Sequence, residues 1–159
     1  MTHQESFAAS LHDAALLLDQ LHELLQDERQ SLTASDAQKT QSLLQQKTQL
    51  LQQLDQNNRQ RSELLTTRGF ATDEEGVQAF LASFPPQESQ AYSVQWQSLQ
   101  QKLEQCKEEN LINGKVIHRS RRQVDTLLNM LRGRENNHRI YTGSGEAKPV
   151  HSGRPLAKA

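Results

Sequence analysis

Side chains able to do chemistry are few and scattered in this 159-residue sequence. Six histidines occur, His3, His12, His22, His118, His138 and His151. A zinc-protease helix needs His-Glu-x-x-His on one face, and a structural zinc site needs Cys and His at finger spacing. Neither pattern occurs, and His118 lies among Arg119, Arg121 and Arg122, a poor seat for a cation. A phosphate cradle needs a glycine-rich turn feeding a helix that starts Lys-Ser/Thr. Gly143-Ser144-Gly145 instead runs into Glu146-Ala147-Lys148-Pro149. The single cysteine, Cys106, falls on an apolar helical row, where it reads as a small buried residue rather than a nucleophile. The sequence therefore predicts no enzyme, no metal and no cofactor.

Two other groupings point toward binding. Lys115, Arg119, Arg121, Arg122, Arg132, Arg134 and Arg139 gather near the end of the chain. They read either as a docking patch for an acidic surface or nucleic acid, or as a solvated face favoured near a helix C-terminus. No groove-reading motif or interleaved aromatic accompanies them, which speaks against nucleic acid. Leu111, Ile112, Val116, Leu128 and Met130 add apolar residues outside the main helical row of the same region. They serve either further internal packing or a partner helix.

The elements that carry these residues follow from composition and spacing. Only 34% of the chain is hydrophobic and 4% aromatic, while Leu and Gln abound. That supply is too thin for a thick core, but it suits long amphipathic helices that each bury one stripe. Leu11, Leu18, Leu25 and Leu32 recur every seven residues and predict a helix over about 6–30. Glu5, Asp13, Asp19, Glu23 and Asp27 lie off that row and are expected in water. Ser35 with Gln38 makes a capping-box pattern, so a second helix is expected from Asp36 to Arg68, stopped by Gly69. Thr72 with Glu75 predicts a short third helix through Phe84, ended by Pro85-Pro86. A fourth helix is expected from Gln87 to Gly133. Its rows are Trp96, Leu103, Asn110, Ile117, Val124, Leu131 and Tyr92, Leu99, Cys106, Asn113, Ser120, Leu127. Heptads of this kind indicate coiled-coil-like packing.

The fold class is thus all-α: an elongated antiparallel helical hairpin, coiled-coil-like, of three long helices and one short one. The simplest pairing sets the second helix against the fourth. Asn57 and Asn58 would then meet Asn110 and Asn113 as a register device, the alternative being that these amides face solvent. The domain is expected over 1–133. Residues 134–159, rich in Gly, Pro, Lys and Arg, lack apolar surface and predict a disordered basic tail. Residues 1–114 carry 8 Lys+Arg and 16 Asp+Glu, whereas 115–159 carry 10 and 3, so the end of the chain is expected to face a different partner. One cysteine, no basic leader and no long apolar run predict a cytoplasmic protein without membrane insertion.

Three segments resemble the FlgN-type flagellar chaperone family. They are Gln46 through Arg61, the stretch Glu109-Asn110-Leu111-Ile112-Asn113-Gly114, and Ile140-Tyr141-Thr142-Gly143-Ser144-Gly145. The second is similar to the family's Asn-x-x-Asn-Gly motif, through Asn110, Asn113 and Gly114. The third is similar to its Tyr-Gly-x-x-Gly element, with Thr142 standing where that element has glycine. The resemblance covers roughly residues 5–146. It implies a cytosolic export chaperone of type III secretion that holds hook-filament junction proteins, FlgK-like and FlgL-like, through their C-terminal helices. It further implies delivery to the cytoplasmic domain of the export gate protein FlhA, with Tyr141 and neighbouring Ile140 docking there. Val124, Leu127, Leu128 and Leu131 are the expected cargo surface, because a substrate helix needs an apolar face to cover it. A homo-oligomeric coiled-coil scaffold without cargo and a helical nucleic-acid binder are the competing readings.

Overall fold

The computed structural model describes residues 2–115, 125–129 and 131. Four helices follow in order: α1 His3–Thr33, α2 Ala37–Thr67, α3 Glu74–Ala82 and α4 Pro86–Gly114. Residues 125–129 are also helical, and the described residues contain no strand. The all-α class is as the sequence predicts, and no described helix is long and apolar enough to cross a membrane.

Local chemistry sets the boundaries. Thr2 and Glu5 form a reciprocal capping box that starts α1, each accepting the other's backbone N–H. Ser35 turns out to end α1 rather than begin α2. It adopts φ 54°, and the N–H groups of Ser35 and Asp36 fold back onto the carbonyls of Leu32 and Ser31. That is a Schellman stop with serine in the left-handed position. The cap of α2 therefore passes to Asp36, whose carboxylate accepts from Lys39 N–H at 3.1 Å. Gly69, at φ 80°, closes α2 in the same way, with Phe70 N–H reaching Leu65 O. Asp73, not Thr72, caps α3. Pro86 opens α4, where its missing N–H costs nothing.

Two expectations about α4 are corrected. It ends at Gly114 instead of running to Gly133. Glycine is a poor helix former, and the preceding Asn113 turns its amide inward to another helix, so the helix stops there although the apolar spacing runs on. Nor does α2 pair with α4. The helix α1 lies between them and packs along both, while no Cα of α2 comes within 8 Å of any Cα of α4. Ordinary packed helices lie 8–10 Å apart axis to axis, so α2 and α4 are not direct neighbours along their backbones.

Cross-helix bonds define the directions. Leu18 O faces Cys106 and Leu25 O faces Asn113, so α1 and α4 run parallel at a constant offset of 88 residues. Ser10 faces Asn57, Glu28 faces Lys47 and Ser31 faces Thr40, so α1 and α2 run antiparallel. The core uses the predicted stripes: Leu11, Leu18, Leu25, Trp96, Leu99, Leu103 and Cys106 are all buried. The five acidic residues expected in water on α1 are exposed. Phe80 from α3 seals one end, edge-on to Phe7, Phe70 and Phe84 at 4.9–5.3 Å.

Asn57 and Asn58 do not meet Asn110 and Asn113. Asn57 lies at the level of Ser10 and Asn113 at the level of Leu25, 15 positions apart along α1 and so roughly 22 Å. Each pair is buried, but at its own level of the bundle and among its own neighbours. Asn57 donates to Ser10 O at 2.9 Å, and both Asn57 and Asn58 accept from the buried Arg61 guanidinium. The proposed boundary between a domain over 1–133 and a tail over 134–159 lies outside the described residues.

Candidate functional site

The second half of α4 gathers the residues that the sequence singles out. Asn113 donates to Leu25 O at 2.7 Å and to Glu28 Oε1 at 3.0 Å, and its Oδ1 accepts from Arg29 at 3.1 Å. Arg29 also pairs with Glu109 at 2.6 Å. Glu28 and Lys47 form an ion pair with side-chain exposures of 0% and 1%, which leaves no water to share the charge. Burial holds the Lys47 ammonium below the usual lysine range, and Glu28 offsets this only in part. The network joins α1, α2 and α4 at the level where α4 stops. Gly114 is buried there and leaves the helix end without a side chain.

Asn110 stands one turn before Asn113 and is 1% exposed. Its Oδ1 has no hydrogen-bond partner. Cys106, one turn earlier, points its thiol at Leu18 O at 3.6 Å. Burial, with Glu109 and Asp19 nearby, pushes that thiol up to about 12, so it carries no thiolate at neutral pH. Structure and chemistry agree that Cys106 is a packing residue.

Leu127, Leu128 and Leu131 lie inside the hydrophobic core rather than on open surface. Asp125, at the start of this segment, sits 4.0 Å from Lys107 on α4. Val124, Ile140 and Tyr141 lie outside the described residues, as do all members of the basic cluster except the exposed Lys115. Ile112 is half exposed on the outer side of α4, and Leu111 lines an open groove of about 700 Å³ with Gln97, Gln100, Gln101, Glu104 and Lys107. That groove is glutamine-rich and holds no nucleophile beside a base. Among the described residues no cluster of His, Cys, Asp and Glu has the makings of a metal site.

The sequence reading missed the buried charges. Lys47 sits on the α2 stripe Leu43, Lys47, Leu51, Leu54, and Glu28 on the α1 stripe Leu21, Leu25, Glu28. Their place on those stripes, at helical spacing, was the available signal. Arg61 was equally hidden. It stacks 5.6 Å over the Trp96 ring, and burial lowers its pKa to about 10. Trp96 Nε1 in turn donates to Glu74 at the start of α3.

Comparison with known proteins completes the picture. A sequence model described as FlgN protein matches residues 1–149. A crystal structure of a Pseudomonas aeruginosa protein described as a flagella synthesis protein FlgN superposes with a TM-score of 0.65. The two are 30% identical, with 80% of this chain and 94% of that one covered. No curated protein matches. With the family pattern spanning nearly the whole chain and the same helical fold behind it, the chain belongs to the FlgN family.

Proposed function

We propose that this chain is a cytoplasmic type III flagellar export chaperone that binds hook-filament junction proteins, FlgK-like and FlgL-like, before their assembly. The observation that carries the reading is FlgN membership across residues 1–149, joined to a leucine-bearing segment that is separate from α4. Such a protein needs no active site. It needs an apolar helical surface that covers a substrate helix until its permanent partner is available. Val124, Leu127, Leu128 and Leu131 are the residues assigned to that surface. Three of them are buried in the cargo-free chain, so cargo meets them only when residues 125–131 leave their seat. Transfer to the cytoplasmic domain of FlhA is assigned to the region beyond residue 133, with the Tyr141 ring as anchor and Ile140 beside it.

The test uses purified full-length chain and a junction protein in gel filtration. Co-elution of the two is expected. A chain ending at residue 133, and separately Tyr141→Ala, should still co-elute with the junction protein but lose capture by the FlhA cytoplasmic domain. Failure of the full-length chain to co-elute with either junction protein overturns the chaperone reading. Loss of cargo binding in Tyr141→Ala overturns the division of labour.

A further inference from the structure

Two buried polar atoms in the α1/α4 interface have no partner, and they are complementary. One is Asn110 Oδ1, an acceptor. The other is His22 Nδ1. Its role follows from its ring's other nitrogen. Gln26 Nε2 lies 3.1 Å from His22 Nε2, and an amide N–H only donates. With the Gln26 amide N–H as donor, Nε2 accepts and the ring proton sits on Nδ1. His22 offers an unused donor and Asn110 an unused acceptor.

The register puts them at one level. Leu18 faces Cys106 and Leu25 faces Asn113 at the same separation of 88 residues, which sets His22 opposite Asn110. His22 shares the α4-facing side of α1 with Leu18, Leu25 and Arg29, each of which hydrogen-bonds a residue of α4. A buried acceptor left unpaired costs about 1–3 kcal/mol, and native chains keep few of them without a use. Leucine would suit the position, because Asn110 interrupts a row that reads Trp96, Leu103, Asn110.

We propose that His22 and Asn110 form a slot for one carboxamide side chain, Asn or Gln, on the cargo helix, a deepening that rests on the chaperone reading above. The carboxamide oxygen accepts from His22 Nδ1–H, and its N–H donates to Asn110 Oδ1. Both orphans are satisfied by one group that carries both functions. Access is from the His22 side, where the residue is only partly buried. Lys107, one turn from Asn110, holds Asp125 of the leucine segment at 4.0 Å, so departure of that segment for cargo uncovers α4 at the level of the slot. A site built to hydrogen-bond a particular group rejects helices that lack it, which gives the apolar cargo surface its selectivity.

The experiment is calorimetric titration of a purified junction protein into the full chain and into His22→Leu, Asn110→Leu and the double variant. Each single change should weaken binding about tenfold, with the double variant little worse than either, because both atoms clasp one side chain. The thermal midpoint of Asn110→Leu should hold or rise, since an orphaned acceptor is gone. Loss of less than about threefold in both singles overturns the proposal and leaves the slot to a bridging water. Where Asn110→Leu fails to fold, His22→Leu on the partly exposed edge decides alone. Absence of binding by the unaltered chain fells the chaperone reading itself, a result separate from loss confined to the variants.

Discussion

Replacing Lys47 by Met tests whether the Glu28–Lys47 pair is held by mutual need rather than by net attraction. Lys47 Nζ gives Glu28 two bonds, at 3.1 and 3.2 Å, and both side chains are cut off from water. In Lys47→Met the Glu28 carboxylate keeps the Asn113 amide at 3.0 Å but loses its counter-charge. Stranding a buried charge in this way costs about 3–5 kcal/mol. For a chain of this length that is a fall of roughly 6–20 °C in the thermal midpoint. The double variant Glu28→Leu/Lys47→Met removes both charges and fills the space with apolar atoms. Asn113 still donates to Leu25 O at 2.7 Å, so little is orphaned. The double variant should therefore lie within about 1 kcal/mol of the parent, or above it. Urea unfolding followed by far-ultraviolet circular dichroism measures all three chains. Additive losses, with the double variant worse than Lys47→Met, would refute the reasoning. The pH dependence has a definite sign. The folded-state pKa of Lys47 lies below its unfolded value, so between the two the unfolded chain binds the extra proton. The contribution of Lys47 to stability is lowest below the folded value and grows as pH rises through that window.

Gly76→Ala should destabilise by at least about 2 kcal/mol, because a Cβ there would lie 1.9 Å from the backbone oxygen of Ala71; an unchanged urea midpoint would contradict the close approach. Ser35→Gly should raise the thermal midpoint by an amount worth about 0.5–1 kcal/mol, since glycine adopts the φ of 54° without a Cβ penalty; a lower midpoint would show that the Ser35 side chain stabilises the turn. Cys106 should resist a thiol reagent in the folded chain at pH 8 and react fully in urea, and rapid labelling of the native protein would place its thiol elsewhere.

The helices were legible in the sequence because heptad leucines and caps are local. Leu11, Leu18 and Leu25 keep a period that only a helix can bury on one face, and each is buried. Partner choice is not local. The same stripe on α4 fits α2 or α1 equally well, so spacing alone left the placement of α1 between the other two open. The end of α4 was hidden for a related reason: the rows continue past Gly114 through Ile117, Val124 and Leu131, and apolar period outweighs one glycine in any reading by pattern. Asn110 and Asn113 were visible as breaks in a row, but their different fates were not. Asn113 donates to a carbonyl and a carboxylate on α1 and its Oδ1 accepts from Arg29, while Asn110 Oδ1 finds no donor. Glu28 and Lys47 were overlooked because a charged residue is expected in water unless its counter-charge is known to arrive from another helix.

The place of α1 between α2 and α4 also has a temporal side. Its bonds to α2 join residues as near as 9 apart in sequence, whereas those to α4 join residues 80–88 apart. During synthesis at about 5–20 residues per second, the hairpin of α1 and α2 can close early, yet Leu18 and Leu25 wait roughly 4–18 s for their α4 partners to be made. For that interval the ribosome displays a half-covered leucine edge, and whatever shields nascent chains must tolerate it.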